Sequence, residues 1–161
     1  MRYIDTHSHV NLSAFREDRE AVLTRAENAG VAVINVGTKL SSSIKAVEIA
    51  QTHPHTYAVV GLHPVQTTLG RHGEDETGEG GTPFVSQGEV FDAHAFRKLA
   101  EDPKVVAIGE CGLDYFHTDP ESEAVQREAF SAQIHLANEI QKPLMLHIRN
   151  GKDATRDAYQ D

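Results

Sequence analysis

The sequence predicts an α/β fold with a parallel sheet, because apolar segments rich in β-branched residues alternate along it with segments of helical periodicity. The clearest strand is Val31–Val36 (VAVINV), a nearly continuous apolar run of the kind that is buried on both faces of a sheet. The 161 residues suit one domain. No apolar run approaches the roughly 18–20 residues of a membrane-spanning helix, so an integral membrane protein is excluded.

The first part of the chain is predicted to form two βα units. A short strand spans Arg2–Asp5, and the helix that follows it, Phe15–Asn28, has apolar residues at helical spacing. Gly30 lies where a helix C-terminus favours a residue without a Cβ atom. After the strand VAVINV, a second helix is predicted over Ser41–Thr52, and Pro54 ends it.

The second part continues the alternation. Tyr57–Gly61 and Val105–Gly109 are predicted to be buried strands, with a helix at Ala93–Glu101 between them. The longest predicted helix, Glu121–Gln141, leads to a last strand at Leu144–His147. This order is typical of repeated βα units that place their strands in parallel.

Residues 70–88 interrupt this alternation. They contain half of the 12 glycines together with several acidic residues. Such a composition buries too little apolar area to offset the entropy of ordering the chain. We therefore expect a mobile, Gly-rich, acidic surface insertion between the third strand and its helix.

Charge and cysteine content narrow the classes of function. The chain carries 24 acidic against 15 basic residues, a formal net charge of -9, which argues against nucleic-acid binding through a broad basic face. Cys111 is the single cysteine, so no intrachain disulfide is possible, and a reducing compartment is expected. The N-terminus lacks the apolar core of a signal peptide, and a cytoplasmic location is the natural prediction.

Two histidines near the first strand suggest a metal site. Residues i and i+2 of a strand project to the same face, so His7 and His9 would point the same way. Neutral imidazole is a common ligand of zinc and similar ions. An isolated pair of this kind is also compatible with two polar residues that make only local hydrogen bonds.

Further polar residues follow the later strands. His63 comes after VVGL, Glu110 after VVAIG and His147 after LML. In α/β sheets the functional groups gather at the carboxyl ends of the strands, so these side chains are predicted to converge with His7 and His9. His63 is expected at the rim of that cluster. A glutamate directly after an apolar run is costly to bury unless it is paired or bound to a metal ion.

Four segments that contain these residues resemble the TatD family of metal-dependent hydrolases: DTHSH at Asp5–His9, VGLHP at Val60–Pro64, AIGECGLDY at Ala107–Tyr115 and PLMLHIR at Pro143–Arg149. Their order and spacing also agree with the family. The resemblance implies a (β/α)8 barrel and divalent-metal deoxyribonuclease activity. Some members act as 3′ exonucleases, and some are described as removing D-amino acids from tRNA.

The resemblance also implies roles for individual residues. His7 and His9 would bind one metal ion, the catalytic Glu110 would bridge two ions, and His147 would bind the second. Asp114, Arg149 and His63 would contact substrate or support the ligands. Two divalent ions, Mg, Mn or Zn, would activate a water molecule and neutralise phosphate oxygens. The partner would be DNA or another phosphodiester, contacted over only a few nucleotides.

The chain departs from the family in three respects, one of which is that its acidic Gly-rich insertion is longer than the family's usual loop. Asn150 and Gly151 follow HIR where the family usually has Asp. A complete barrel takes roughly 250 residues, and the His and Asp that complete the family's metal site come from later strands. We therefore expect residues 1–161 to form a single TatD-like barrel domain that is incomplete at its C-terminus, truncated after about five βα units.

Other interpretations remain open at this stage. One is an inactive fragment of such a hydrolase, which self-associates through open sheet edges or packs loosely and lacks measurable nuclease activity. Another is an amidohydrolase-type enzyme that acts on a non-nucleic substrate. Cyclic amidases of this barrel group usually bridge their metal ions with a carboxylated lysine, and Glu110 at the corresponding position favours phosphodiester chemistry instead.

Overall fold

In the computed structural model, residues 1–72, 84–152 and 155–161 are described. These ranges contain seven strands and four α-helices, in the order β1 Tyr3–Ser8, α1 Arg19–Asn28, β2 Val31–Val36, α2 Leu40–Thr52, β3 Thr56–Val60, β4 Leu69–His72, β5 Phe84–Gln87, α3 Ala93–Ala100, β6 Val105–Asp114, α4 Glu123–Ile140 and β7 Leu144–Arg149. Within these described ranges, no helix has the length and apolar character required to cross a membrane.

Five of the strands form one parallel sheet in the order β1-β2-β3-β6-β7. Consecutive strands of this sheet are neighbours, and helices form the crossovers after β1, β2, β3 and β6, as in successive units of a (β/α) barrel. The parallel α/β architecture predicted from the alternation of strands and helices is therefore confirmed. β1 and β7 lie at the two edges of the sheet.

The two faces of the sheet bury different apolar clusters. Alternate residues of β3, Ala58 and Val60, belong to the main core, which they form with the apolar faces of α2, α3 and α4. Val59, between them, belongs to a smaller cluster on the opposite face with Val36 and Ala107. The helices thus cover one face of the sheet, and the smaller apolar cluster lies on the opposite face.

Three predicted boundaries differ from the observed ones by three residues or more. The helix predicted from Phe15 begins only at Arg19, after a short 3₁₀ turn at Ser13–Phe15. Arg19 donates hydrogen bonds to the carbonyl oxygens of Val10, Asn11 and Leu12, which fixes the loop in front of the helix. β1 extends to Ser8, so His7 lies within it.

The third wrong boundary concerns β6, which continues past Gly109 to Asp114. Gly109 and Gly112 have φ angles of 147° and 141°, values that side chains rarely allow. A Cβ atom at these positions would collide with the backbone oxygens of Met145 and His147 on β7. These glycines therefore permit β6 to pair closely with β7 from Ile108 to Asp114, and Glu110 lies inside β6 rather than after it.

The predicted surface insertion is partly regular. β4 and β5 pair as a two-stranded antiparallel sheet, from Leu69 opposite Gln87 to His72 opposite Phe84. The two ends of the predicted insertion thus form strands, which the sequence analysis did not anticipate. Residues 73–83, on which the predicted mobility mainly falls, lie outside the described residues.

Candidate metal centre

The residues predicted to bind metal meet in one cavity of about 580 Å³ at the carboxyl ends of the parallel strands. All of the candidates named from the sequence line this cavity: His7, His9, His63, Glu110, Asp114, His147 and Arg149. Parallel strands place their carboxyl ends at one edge, so residues far apart in the chain converge there.

His7, His9 and Glu110 form the first group of closely spaced ligand atoms. Nε2 of His7 lies 3.1 Å from Oε2 of Glu110, and one ligand atom from each of the three residues lies within 4.8 Å of the others. Nδ1 of His9 donates a hydrogen bond of 3.0 Å to the carbonyl oxygen of Val36, and burial lowers the pKa of His9. His9 is thereby held as a neutral imidazole whose Nε2 lone pair is available to a cation.

Glu110 also connects to a second group through His147. Nδ1 of His147 lies 3.1 Å from Oε1 of Glu110, and its Nε2 lies 2.8 Å from Oδ2 of Asp114. Burial alone would lower the pKa of His147, but the hydrogen bonds to Asp114 and Glu110 raise it to about 9. Burial likewise opposes ionisation of Glu110, yet the hydrogen bond from His147 and the nearby His63 lower its pKa to about 2.

His63 was expected at the rim, and it lies partly buried beside these residues, with 12% of its side chain exposed. Its ring packs edge-on against that of His147, with the centroids 4.2 Å apart. Nδ1 of His63 accepts a hydrogen bond of 3.3 Å from the backbone N–H of Val65, so the proton of the neutral ring is on Nε2. That N–H lies 3.8 Å from Oε1 of Glu110. Burial, followed by the charge of His147, lowers the pKa of His63 to about 3.

The tautomer of His63 decides between two roles. His63, Glu110 and His147 are close enough to surround a cation. To bind it through Nε2, the neutral His63 ring would have to move its proton to Nδ1 and give up the hydrogen bond from Val65, whereas His147 becomes a neutral ligand by losing one proton. His63 instead presents a hydrogen-bond donor toward Glu110.

Two buried glutamines of α4 fix the strand ends that carry the site. Gln133 accepts a hydrogen bond from the backbone N–H of Leu62 and donates one to the Leu62 carbonyl oxygen, next to His63. Gln126 makes the same reciprocal pair with the backbone of Asp114. Both side chains are almost inaccessible to solvent, so helix α4 sets the positions of two site residues through amide hydrogen bonds.

His117 is a site residue that the sequence reasoning missed. Its Nδ1 donates to Oδ2 of Asp114 at 2.9 Å, and its backbone N–H donates to Oδ1 of the same carboxylate. Arg149, exposed at the mouth of the cavity, places Nη1 3.4 Å from Nε2 of His117. A histidine three residues after Asp114, in the turn that leaves β6, was the available signal.

The donor set suits a divalent cation. Two imidazoles and a carboxylate form the first group, and the carboxylate of Glu110 is shared with a third imidazole. His9 and His147 each direct a second ring nitrogen at an oxygen acceptor, the arrangement that orients metal-binding histidines. Asp114 is fully buried and, despite that burial, the hydrogen bonds from His147 and His117 keep its pKa below the usual range.

Comparisons with known proteins agree with this geometry. The chain is 37% identical over 150 residues to the 3'-5' ssDNA/RNA exonuclease TatD of Erwinia tasmaniensis, covering 89% of the chain and 50% of that relative. It is 35% identical over 154 residues to a Bacillus subtilis protein named "Uncharacterized metal-dependent hydrolase YabD", covering 95% and 52%. The chain thus spans about half the length of the curated relatives it matches.

Solved structures show the same fold. YJJV, a TatD homologue from Escherichia coli, superposes with a TM-score of 0.69 at 32% identity over 92% of the chain and 51% of that structure. A TatD-family hydrolase from Entamoeba histolytica gives 0.66 at 25% identity over 91% and 50%. The family model described as TatD related DNase matches residues 4–161. The chain therefore belongs to the TatD-related DNase family.

Proposed function

We propose that the chain carries the metal-binding groups of a divalent-metal-dependent hydrolase that cleaves phosphodiester bonds at nucleic-acid ends. The observation that supports this most is the central position of Glu110, whose two carboxylate oxygens face His7 on one side and His147 on the other. A carboxylate shared by two groups of imidazole nitrogens is the arrangement expected where two divalent ions are held close together.

The proposed ligands follow from these contacts. His7, His9 and Glu110 would hold one ion, and Glu110 and His147 the other, with Mg, Mn and Zn all compatible with nitrogen and carboxylate ligands. Ions bound there would acidify water and neutralise phosphate oxygens. The proton on Nδ1 of His147 would leave when a cation binds, while Nε2–H continues to donate to Asp114.

The remaining residues of the cavity would prepare the site for an anionic substrate. His63 would direct Nε2–H toward Glu110 and hold that carboxylate in place. Arg149, at the mouth, would attract a phosphate group. Because the chain has a net charge of -9, local cations rather than a basic surface must neutralise the substrate, and this favours contact with few nucleotides.

The relatives narrow the proposed substrate. The Erwinia tasmaniensis protein is named as a 3'-5' exonuclease of single-stranded DNA and RNA, and we propose the same class of substrate for this site. The single thiol, Cys111, is buried, which suits the reducing cytoplasmic compartment that we propose for the chain.

Metal binding and strand cleavage test the proposal together. Calorimetric titration with Mn²⁺ should show uptake by the unaltered chain and a loss of affinity of about 100-fold in Glu110→Gln, because the shared carboxylate loses its charge. Glu48→Gln, an exposed glutamate on α2 paired with Lys45, is the matched control and should bind Mn²⁺ like the unaltered chain. Equal affinity in all three proteins would contradict the proposed centre.

The same proteins are then incubated with a 5′-labelled single-stranded DNA in Mn²⁺ or in EDTA. Metal-dependent shortening of the strand from its 3′ end, absent in Glu110→Gln, would establish the hydrolase. Intact Mn²⁺ binding without any shortening would instead favour the alternative of an inactive portion of such a hydrolase.

A further inference from the structure

Two cations at the mouth of the cavity converge on one aromatic ring. The guanidinium carbon of Arg149 lies 4.2 Å from the centroid of Phe116, and Nζ of Lys152 lies 4.8 Å from the same centroid. Both residues are exposed, while Phe116 is half-buried. The aromatic ring holds the two charges in place by cation–π attraction, and Arg149 and Lys152 are called the rim cation pair below.

In the described part of the chain, no nearby acidic group neutralises the rim cation pair. Across residues 1–72, 84–152 and 155–161, no carboxylate lies within ion-pair distance of Arg149 or Lys152, whereas Arg156, a few residues further along, is paired with Glu123. Placing two like charges beside each other costs electrostatic free energy. An anion bound between or beside the two cations would offset this electrostatic cost.

The position of the pair relative to the candidate metal centre defines which anion fits. Arg149 contacts His117, which donates to Asp114, and Asp114 in turn accepts a hydrogen bond from His147. Arg149 lines the same cavity as Glu110, whereas Lys152 and Phe116 are not among the residues that line it. A phosphate held by both cations would therefore lie toward the outside of the cavity, away from Glu110.

We propose that the rim cation pair binds the backbone phosphate of a nucleotide adjacent to the one that enters the metal centre. This inference rests on the proposed function, and it assigns the chain a second contact with a single-stranded nucleic acid. Guanidinium donors match phosphate oxygens in pairs, and Lys152 adds a point charge. Contacts of this kind position a strand without reading its sequence.

Oligonucleotide binding without metal isolates this contact. Fluorescein-labelled decathymidylate is titrated with the 161-residue chain in EDTA at low salt, and its anisotropy is recorded as the salt concentration rises. Arg149→Met and Lys152→Met should each weaken binding about three- to tenfold and reduce the slope of log affinity against log salt by about 0.7. Arg149→Lys, which keeps the charge, should retain the slope.

Lys45→Met is the matched control, because Lys45 is exposed on α2 and paired with Glu48. It should leave both affinity and slope unchanged. Equal effects of Lys45→Met and the rim variants, or no binding by the unaltered chain, would overturn the proposal.

The outcome is separable from the nuclease assay. Binding that depends on Arg149 without strand cleavage in Mn²⁺ would support the rim cation pair and count against the hydrolase. Cleavage in Mn²⁺ with unchanged oligonucleotide binding by Arg149→Met would support the hydrolase and contradict the proposed role of the rim cation pair. Circular dichroism of each variant verifies that the fold is retained.

Discussion

The rings of His63 and His147 are only 4.2 Å apart, but the pKa values of the two residues are shifted in opposite directions. The pKa of His63 is lowered to about 3, chiefly by burial, whereas two carboxylates raise that of His147 to about 9 against the same tendency. The difference arises because His147 donates hydrogen bonds to both Asp114 and Glu110, whereas Nε2 of His63 lies 3.8 Å from Oε1 of Glu110, too far for a hydrogen bond. Residue type and strand position predicted that both histidines lie in the site, but only the three-dimensional partners decide which one presents a lone pair to a cation.

Substitutions that keep one ring nitrogen of His63 at a time test its role. Asparagine can still accept the N–H of Val65 but has no donor where Nε2 lies, whereas glutamine can place an amide donor there. We expect Mn²⁺ affinity, measured by calorimetry, to fall about tenfold in His63→Asn and to remain within about threefold in His63→Gln.

If His63 only holds the turn after β3, His63→Asn should retain more Mn²⁺ affinity than His63→Gln, because only asparagine keeps the contact with Val65. Similar losses in both variants would also contradict the donor assignment. Thermal unfolding followed by circular dichroism controls for a change in stability.

At the scale of elements, strands with a purely apolar signal were predicted best. β2 has the predicted bounds, Val31–Val36, because a short, nearly continuous run of apolar and mostly β-branched residues strongly favours a buried strand. The extension of β6 through Glu110 was missed, since Gly109 and Gly112 resemble the end of a strand when the sequence is considered alone. Their function depends on the neighbouring strand, whose backbone leaves no room for a Cβ atom. Strands β4 and β5 were not predicted for a related reason. Each strand forms by pairing with the other, and the composition of one segment alone does not reveal its partner.

Gly112 provides the corresponding test. Alanine there requires a strained φ and a collision with the His147 carbonyl oxygen, so Gly112→Ala should lower the free energy of unfolding by on the order of 3 kcal/mol. Gly30 also has a positive φ, of 73°, but its nearest neighbour would lie 3.7 Å from a Cβ atom. Gly30→Ala should therefore cost only about 1 kcal/mol. Urea denaturation measures both, and equal costs would show that the contact with β7 is unimportant.

At the scale of the whole molecule, the sheet has two edges that differ from its interior. β1 and β7 each pair with one neighbour, and large apolar side chains on them are accessible, with 60% of Ile4 and 55% of Leu146 exposed. Resemblance to a barrel family predicted the strand order and the meeting of the site residues. It could not predict what covers these edges, because that depends on groups outside the five-stranded sheet.

We expect the 161-residue chain to self-associate through these edges. Unpaired backbone groups of an edge strand bind other strands readily, and each 100 Å² of apolar surface covered contributes about 2.5 kcal/mol, which is large beside a typical total stability of about 5–15 kcal/mol. Light scattering should show a mass that rises with concentration, and Ile4→Lys and Leu146→Lys should reduce that rise, since a lysine on an edge disfavours strand pairing. Val90→Lys, at a residue that is 86% exposed but outside the sheet, should leave it unchanged. A concentration-independent monomer with one cooperative unfolding transition would mean that the five strands are stable without any partner at β1 and β7.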